Sequence, residues 1–330
     1  MKYAAFNINF DSLGFDYGFP SIYRDPTFFS IADRFFDLAE KYQFKYTIFI
    51  IGKDLEKYEN REAVKKWSDQ GHEIGNHSWS HRPDLIQLGK KEIRQDVEKA
   101  HDIIFKVTGR EPKGFISRGW FCSEPLLEVL LDLNYEYDTS LFPSWLAVPM
   151  LLKIWMNRKN VNTSERNILA LKKFMYPFFG RRKEFLSIGK LYASSSPKNL
   201  DGRTRKIALL PLPTTWWRFP CWHTLAYIFG RYFHKRILKS CLNQVGGFYY
   251  LMHPADLMVV EDLMPGRPCY FTRINFPLEQ KVQILEESIR MVIDSGRKVV
   301  TMQELASDVL SSSSTTSFRW QYHTLDSFQD

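Results

Sequence analysis

The sequence predicts an α/β fold built around a parallel sheet, and three observations carry that prediction. Apolar runs of strand length alternate with amphipathic stretches of helix length along most of the chain. Asp11, His77, Arg118 and His253 each stand directly after a proposed strand, and parallel α/β folds gather their chemistry at the carboxyl ends of strands. Finally, 330 residues with 44% hydrophobic and 15% aromatic content can fill a large core and are not a disordered composition. Length alone leaves one barrel or two domains open.

Each element follows from local pattern. Tyr3–Phe10 is a buried strand, and 27–42 has helical spacing through Phe28, Phe29, Ile31, Phe35, Phe36 and Leu38. A strand at 46–51 precedes a helix at about 61–70, and the short strand Glu73–Asn76 ends on a histidine motif. The charged helix 91–107 leads to a strand at 114–116, the helix 124–133 and a strand at 135–137. Beyond residue 205 come a strand at 207–210, a helix at 225–242, the strand Phe248–Met252, a helix at 278–295 and a strand at 299–301. The serine run 311–314 begins a flexible tail expected over 311–330.

Several classes are excluded by what the pattern lacks. The first residues are too polar for a signal-peptide core and carry no small-residue cleavage site, so the expected location is cytoplasmic, extending to the inner face of a membrane. Uncharged runs such as 139–152 and 240–255 fall short of a bilayer span. Cys122, Cys221, Cys241 and Cys269 show no CxxC spacing, and reduced structural thiols are expected.

The centre of the chemistry is Gly75-Asn76-His77-Ser78-Trp79-Ser80-His81. Two imidazoles at i and i+4 can converge on one divalent ion, and three protein ligands with one open position activate water or polarise a carbonyl. The pair alone is equally compatible with two solvated loop histidines. Charge adds a second feature: 151–205 holds thirteen Lys or Arg against three Asp or Glu, interleaved with Trp155, Phe174, Tyr176, Phe178 and Phe179. This segment reads as an insertion, either plainly solvated or facing anionic phosphates at a membrane interface. No nucleic-acid-binding module accompanies it, so nucleic acid is not an expected partner.

Taken in order, five motifs resemble the polysaccharide deacetylases of the NodB-homology, carbohydrate esterase 4-like group. They are Asn9-Phe10-Asp11, Gly75 to His81, Phe115-Ile116-Ser117-Arg118-Gly119-Trp120, Tyr135 to Pro143, and Leu251-Met252-His253-Pro254. The resemblance covers about 3–143 and 206–305. It implies a deformed (β/α) barrel of about seven parallel strands over 1–310, interrupted by the insertion, and removal of an N-acetyl or N-formyl group from an amino sugar in a glycan or a lipid-linked saccharide. It further implies a divalent metal, zinc by preference, held by His77 and His81. Asp11 would be the general base, Arg118 would pair with it, His253 would protonate the leaving amine, and Trp120 would line the substrate site.

One departure qualifies the resemblance. Relatives carry two acidic residues at the first motif, whereas Ser12 and Leu13 follow Asp11 here. Three readings stand: Asp11 serves the metal and another group is the base, Asp16 bends back through the Gly14 turn, or the site is weakened. The last makes a catalytically silent glycan-binding or scaffold protein the alternative function. The residue two places after Arg118 is Trp120, not the proline common in relatives. Asp138 either corresponds to a residue that orients the catalytic histidine in relatives or is an ordinary strand-end turn residue.

Overall fold

The computed structural model describes residues 2–14, 24–146, 192–195, 206–244, 246–264 and 272–312. The expected insertion, apart from 192–195, and nearly all of the expected tail lie outside them, as do Asp16 and Cys269.

Strand β1 (Tyr3–Phe10) is an interior strand, paired on both sides and buried along nearly its whole length. Its even-numbered side chains meet the outer layer: Phe6 packs on Phe44 and Tyr46, and Phe10 on Phe28 and Trp67. Strict alternation along a strand therefore turns Asn7 and Asn9 to the opposite, inner face, with Asp11 next in the series. A tight turn at Pro26–Phe28, capped by the Asp25 carboxylate on the Thr27 amide, leads into α1 (Ser30–Lys41). Strand β2 (Tyr46–Ile50) follows, then α2 (Tyr58–Asp69) and β3 (Glu73–Asn76). Gly75 is required in β3, since a Cβ there would lie 2.5 Å from the Phe49 ring of β2.

Helix α3 (Lys90–Thr108) buries Ile93, Val97, Ala100 and Ile104, the spacing of one helical face. Burying each of its larger apolar side chains contributes roughly 1.5–3 kcal/mol as an upper figure. Next come β4 (Gly114–Phe115), α4 (Glu124–Asp132), β5 (Tyr137–Asp138), β6 (Tyr192–Ser195) and β7 (Lys206–Leu209). The Ser123 hydroxyl caps α4 by accepting from the Leu126 amide. The remaining elements are α5 (Leu225–Phe229), α6 (Arg231–Gln244), β8 (Phe248–Met252), α7 (Leu278–Ile293), β9 (Lys298–Val300) and α8 (Met302–Ser312).

In space the strands run β6-β7-β5-β4-β3-β2-β1-β8, with β9 also paired to β1. Every pairing is parallel except β6 with β7. The expected deformed barrel is thus present as a curled parallel sheet, extended by one antiparallel strand from within the expected insertion.

Three details depart from the sequence reading. The helix expected over 225–242 is two helices, because Gly230 adopts φ +85° and ends α5. The strand expected at 135–137 starts two residues later, since Tyr135 turns inward and its hydroxyl accepts from Asn76 Nδ2 at 2.7 Å. Helix α8 was not anticipated, and it occupies the stretch leading to the expected tail. Among the described residues no helix is long and apolar enough to cross a membrane, and Cys122, Cys221 and Cys241 are buried free thiols.

Candidate metal centre

The end of β3 releases the chain into a loop that is held from three sides. Asn76 Oδ1 accepts from the Ser78 amide at 2.7 Å, while Asn76 Nδ2 donates to the Val97 carbonyl on α3. Asp96, also on α3, accepts from the amides of Trp79 and Ser80 and from the Ser80 hydroxyl. From the short turn after β2, the amides of Gly52 and Lys53 donate to the carbonyls of Ser78 and Trp79. These bonds hold Ser78 and His81 at φ +63° and +45°, backbone conformations that cost a non-glycine residue on the order of 1 kcal/mol. The result is a rigid turn that returns His81 to His77, with ring centroids 4.4 Å apart.

Asp11, leaving β1 two strands away across β2, completes a triad of ligand atoms that all lie within 4.8 Å of one another. Its Oδ1 stands 3.5 Å from Nε2 of His77 and 3.5 Å from Nε2 of His81. His77 Nδ1 lies 2.8 Å from the Ile116 carbonyl, which fixes the proton on that nitrogen and turns the lone pair of Nε2 toward Asp11. Both imidazoles are buried, whereas a fifth of the Asp11 side chain is open to solvent.

These residues fit a divalent cation. Asp11 Oδ1 is buried and has no hydrogen-bond partner, although a buried carboxylate oxygen is costly to leave unsatisfied. The 3.5 Å spacings are too long for hydrogen bonds but match three donors about 2.0–2.2 Å from a tetrahedral centre, which sit about 3.4 Å apart. The donor set of two neutral imidazoles and one carboxylate suits zinc or a similar first-row ion.

Electrostatics agree with a permanently ionised Asp11. Burial alone would raise its carboxyl, but His81, His77 and His253 together hold it well below the usual carboxylate range. The His77 imidazole is lowered, first by burial and then by His81, so it is neutral and available as a ligand near pH 7.

The other candidate residues fall around this cluster. His253 begins the turn after β8, and its backbone N–H donates to Asp256 Oδ2 at 2.8 Å. Its own Nδ1 is buried without a hydrogen-bond partner, 4.0 Å from the same carboxylate. Burial lowers its imidazole, opposed by Asp11 and Asp256. Arg118, expected on the Asp11 carboxylate, sends Nη1 to the carbonyl of His81 at 2.9 Å and thereby supports the histidine loop. Trp120 stacks on Phe142, packs tilted against Trp222, and presents its ring edge-on to His253, with centroids 6.4 Å apart. Its indole N–H is buried with no acceptor. Ser12 turns away from the cluster and donates to Asp54 at 2.8 Å. Asp138 accepts from both the hydroxyl and the amide of Ser140, the contacts of a strand-end turn, and burial pushes its carboxyl up to about 7.

Sequence reasoning missed four supporting residues: Asp96 behind the histidine loop, Asp256 beneath His253, Arg273 beside Asp256 at 3.3 Å, and Trp222 against Trp120. Asp256 had the one readable signal, an acid three residues after His253 at the start of a short turn.

Residues 12–137 match the family model for polysaccharide deacetylases. The chain is 34% identical over 109 residues to the peptidoglycan deacetylase of Helicobacter pylori, covering 33% of this chain and 36% of that protein. It is 30% identical over 102 residues to the peptidoglycan-N-acetylmuramic acid deacetylase PdaA of Bacillus subtilis, covering 30% and 37% of the two chains. The match thus spans little more than a third of either curated relative. A solved structure from Mycobacterium smegmatis, itself assigned to the polysaccharide deacetylases, superposes with a TM-score of 0.57 at 17% identity over 98% of this chain and 96% of its own. That likeness is one of fold. Over residues 12–137, then, the chain is similar to the polysaccharide deacetylases.

Proposed function

We propose that this protein is a metal-dependent amidohydrolase that removes an N-acyl group, acetyl or formyl, from an amino sugar. The single observation that carries the proposal is the Asp11–His77–His81 cluster, with a buried carboxylate oxygen equidistant from two imidazole nitrogens. In this reading Asp11, His77 and His81 hold the cation, preferably zinc, which makes Asp11 a ligand instead of the base. A divalent ion bound there supplies Lewis-acid polarisation of the amide carbonyl and acidifies a water molecule.

The chain's own residues supply the rest. His253, kept neutral near pH 7 by burial, can accept the proton of the attacking water and deliver it to the departing amine nitrogen. Asp256 stabilises the imidazolium that exists between those transfers, and Arg273 and the Thr224 hydroxyl hold Asp256 in place. Trp120, partly exposed beside His253, offers apolar ring surface to a sugar. Arg118 keeps His81 on station through its carbonyl. The family match and the deacetylase relatives support the reaction class.

The experiment is release of acetate or formate from N-acylated oligosaccharides, before and after chelation. Activity that vanishes with EDTA and returns with added zinc is the expected result. Tight metal binding without release of either acid from any N-acylated amino sugar would favour the silent glycan-binding protein.

A further inference from the structure

We infer that the face built from the 213–222 loop, Trp145 and the paired helices α5 and α6 is a docking surface for an anionic lipid bilayer. Thr214 and Pro220 form an isolated bridge, and the intervening chain turns at Arg218 with φ +64°, which lifts Trp216 and Trp217 outward. Trp216 is 71% exposed, and Trp145, Trp217, Phe229 and Phe233 are each more than a third exposed.

These rings form one patch. Phe219, buried at its centre, lies within 6.1 Å, centroid to centroid, of Trp145, Trp217, Phe229 and Phe233. The Trp145 indole N–H donates to the Trp217 carbonyl, tying the two tryptophans together. A monomeric surface does not ordinarily leave so many adjoining aromatics in water. Rings with one polar edge suit the headgroup layer, where an apolar body and a wet tip are both satisfied.

Charge selects the kind of bilayer. Between residues 206 and 244 the chain contains Lys206, Arg218, Arg231, Lys235, Arg236 and Lys239, and no Asp or Glu. Glu287, which reaches this helix from α7, pairs with Arg231 and Lys235 and offsets only part of that charge. Arg236 and Lys239 are exposed on α6, the helix that carries Tyr232 and Phe233. Aromatic rings flanked by the exposed cations Arg236 and Lys239 complement an anionic interface and suit neither a neutral one nor an acid-free protein partner. The same loop turns Trp222 inward onto Trp120, so the docking face borders the candidate site.

Sedimentation of the full chain with vesicles tests this. One set is phosphatidylcholine alone, the other phosphatidylcholine mixed with phosphatidylglycerol. Binding to the anionic set at low salt is expected, and the double variant Trp216→Ser/Trp217→Ser should weaken it by about tenfold or more. Arg236→Glu/Lys239→Glu, which leaves the rings intact, should give a similar loss. Acyl release from a soluble oligosaccharide should be unchanged in both variants, and the binding measurement itself needs no substrate. Failure of the wild type to bind anionic vesicles, equal binding to both sets, or wild-type binding by both variants would overturn the inference.

Discussion

At the scale of single residues, the candidate site depends on where protons and lone pairs point. His77 is committed by its Nδ1 contact with the Ile116 carbonyl, so its remaining nitrogen can only serve the cluster with Asp11 and His81. His253 is different, because its Nδ1 is buried and unsatisfied and its Asp256 partner is held by the backbone and by Arg273. His253→Ala should therefore lower kcat by about 10²–10⁴ while leaving metal content unchanged, as expected when a proton-transfer group is removed without touching a ligand. Steady-state kinetics paired with metal analysis would show this, and loss of metal in the variant would move His253 into the ligand set. Asp11, His77 and His253 were legible because each directly follows a strand, and His81 because it stands four residues after His77. Asp96, Arg273 and Trp222 were not, because their roles arise from contacts between segments distant in sequence. The partner of Arg118 was misjudged for the same reason: a guanidinium on a long stem finds its acceptor in tertiary space, here the His81 carbonyl.

At the scale of elements, β1, β3 and β8 were readable to the residue: β8 is a continuous apolar and aromatic run, β1 is interrupted only by Asn7 and Asn9, and β3 is bounded by the histidine motif that follows it. The break between α5 and α6 was not, because apolar spacing continues across Gly230 and only its positive φ ends the helix. Between α6, β8 and the preceding loop lies a buried bridge in which the Tyr250 hydroxyl contacts His223 Nδ1 at 2.9 Å and His234 Nε2 at 3.0 Å. Burial lowers His223 to about 4 and His234 to about 3. Both values lie below the unfolded value near 6.5, so the unfolded chain takes up these protons first as pH falls. Stability from the bridge is complete above about pH 6.5 and is lost as pH falls from there toward 4, at up to about 1.4 kcal/mol per pH unit for each histidine. Thermal melts between pH 7 and 5 should show falling Tm, and His234→Gln should flatten the slope. A wild-type Tm independent of pH across that window would contradict the account.

At the scale of the whole molecule, the parallel sheet gathers the ends of β1, β3, β4 and β8 so that residues 11, 77, 81, 118 and 253 share one rim. The sequence carried this convergence only as a succession of strand-end motifs, because neighbouring positions in a barrel are set by sheet order and not by distance along the chain. It carried less of β6, a polar strand inside a segment without periodicity, and nothing of the aromatic face, whose members come from 145 to 233 and share only the hub of Phe219. The central claim is that this rim holds one divalent cation through Asp11, His77 and His81. Calorimetric titration of the metal-stripped protein with zinc addresses it most directly. One site per chain is expected in the wild type, with binding abolished in His77→Ala and His81→Ala and strongly weakened in Asp11→Asn, since a neutral amide is a poorer partner for a dication than a carboxylate. Undiminished stoichiometric binding in the His77→Ala/His81→Ala double variant would contradict it.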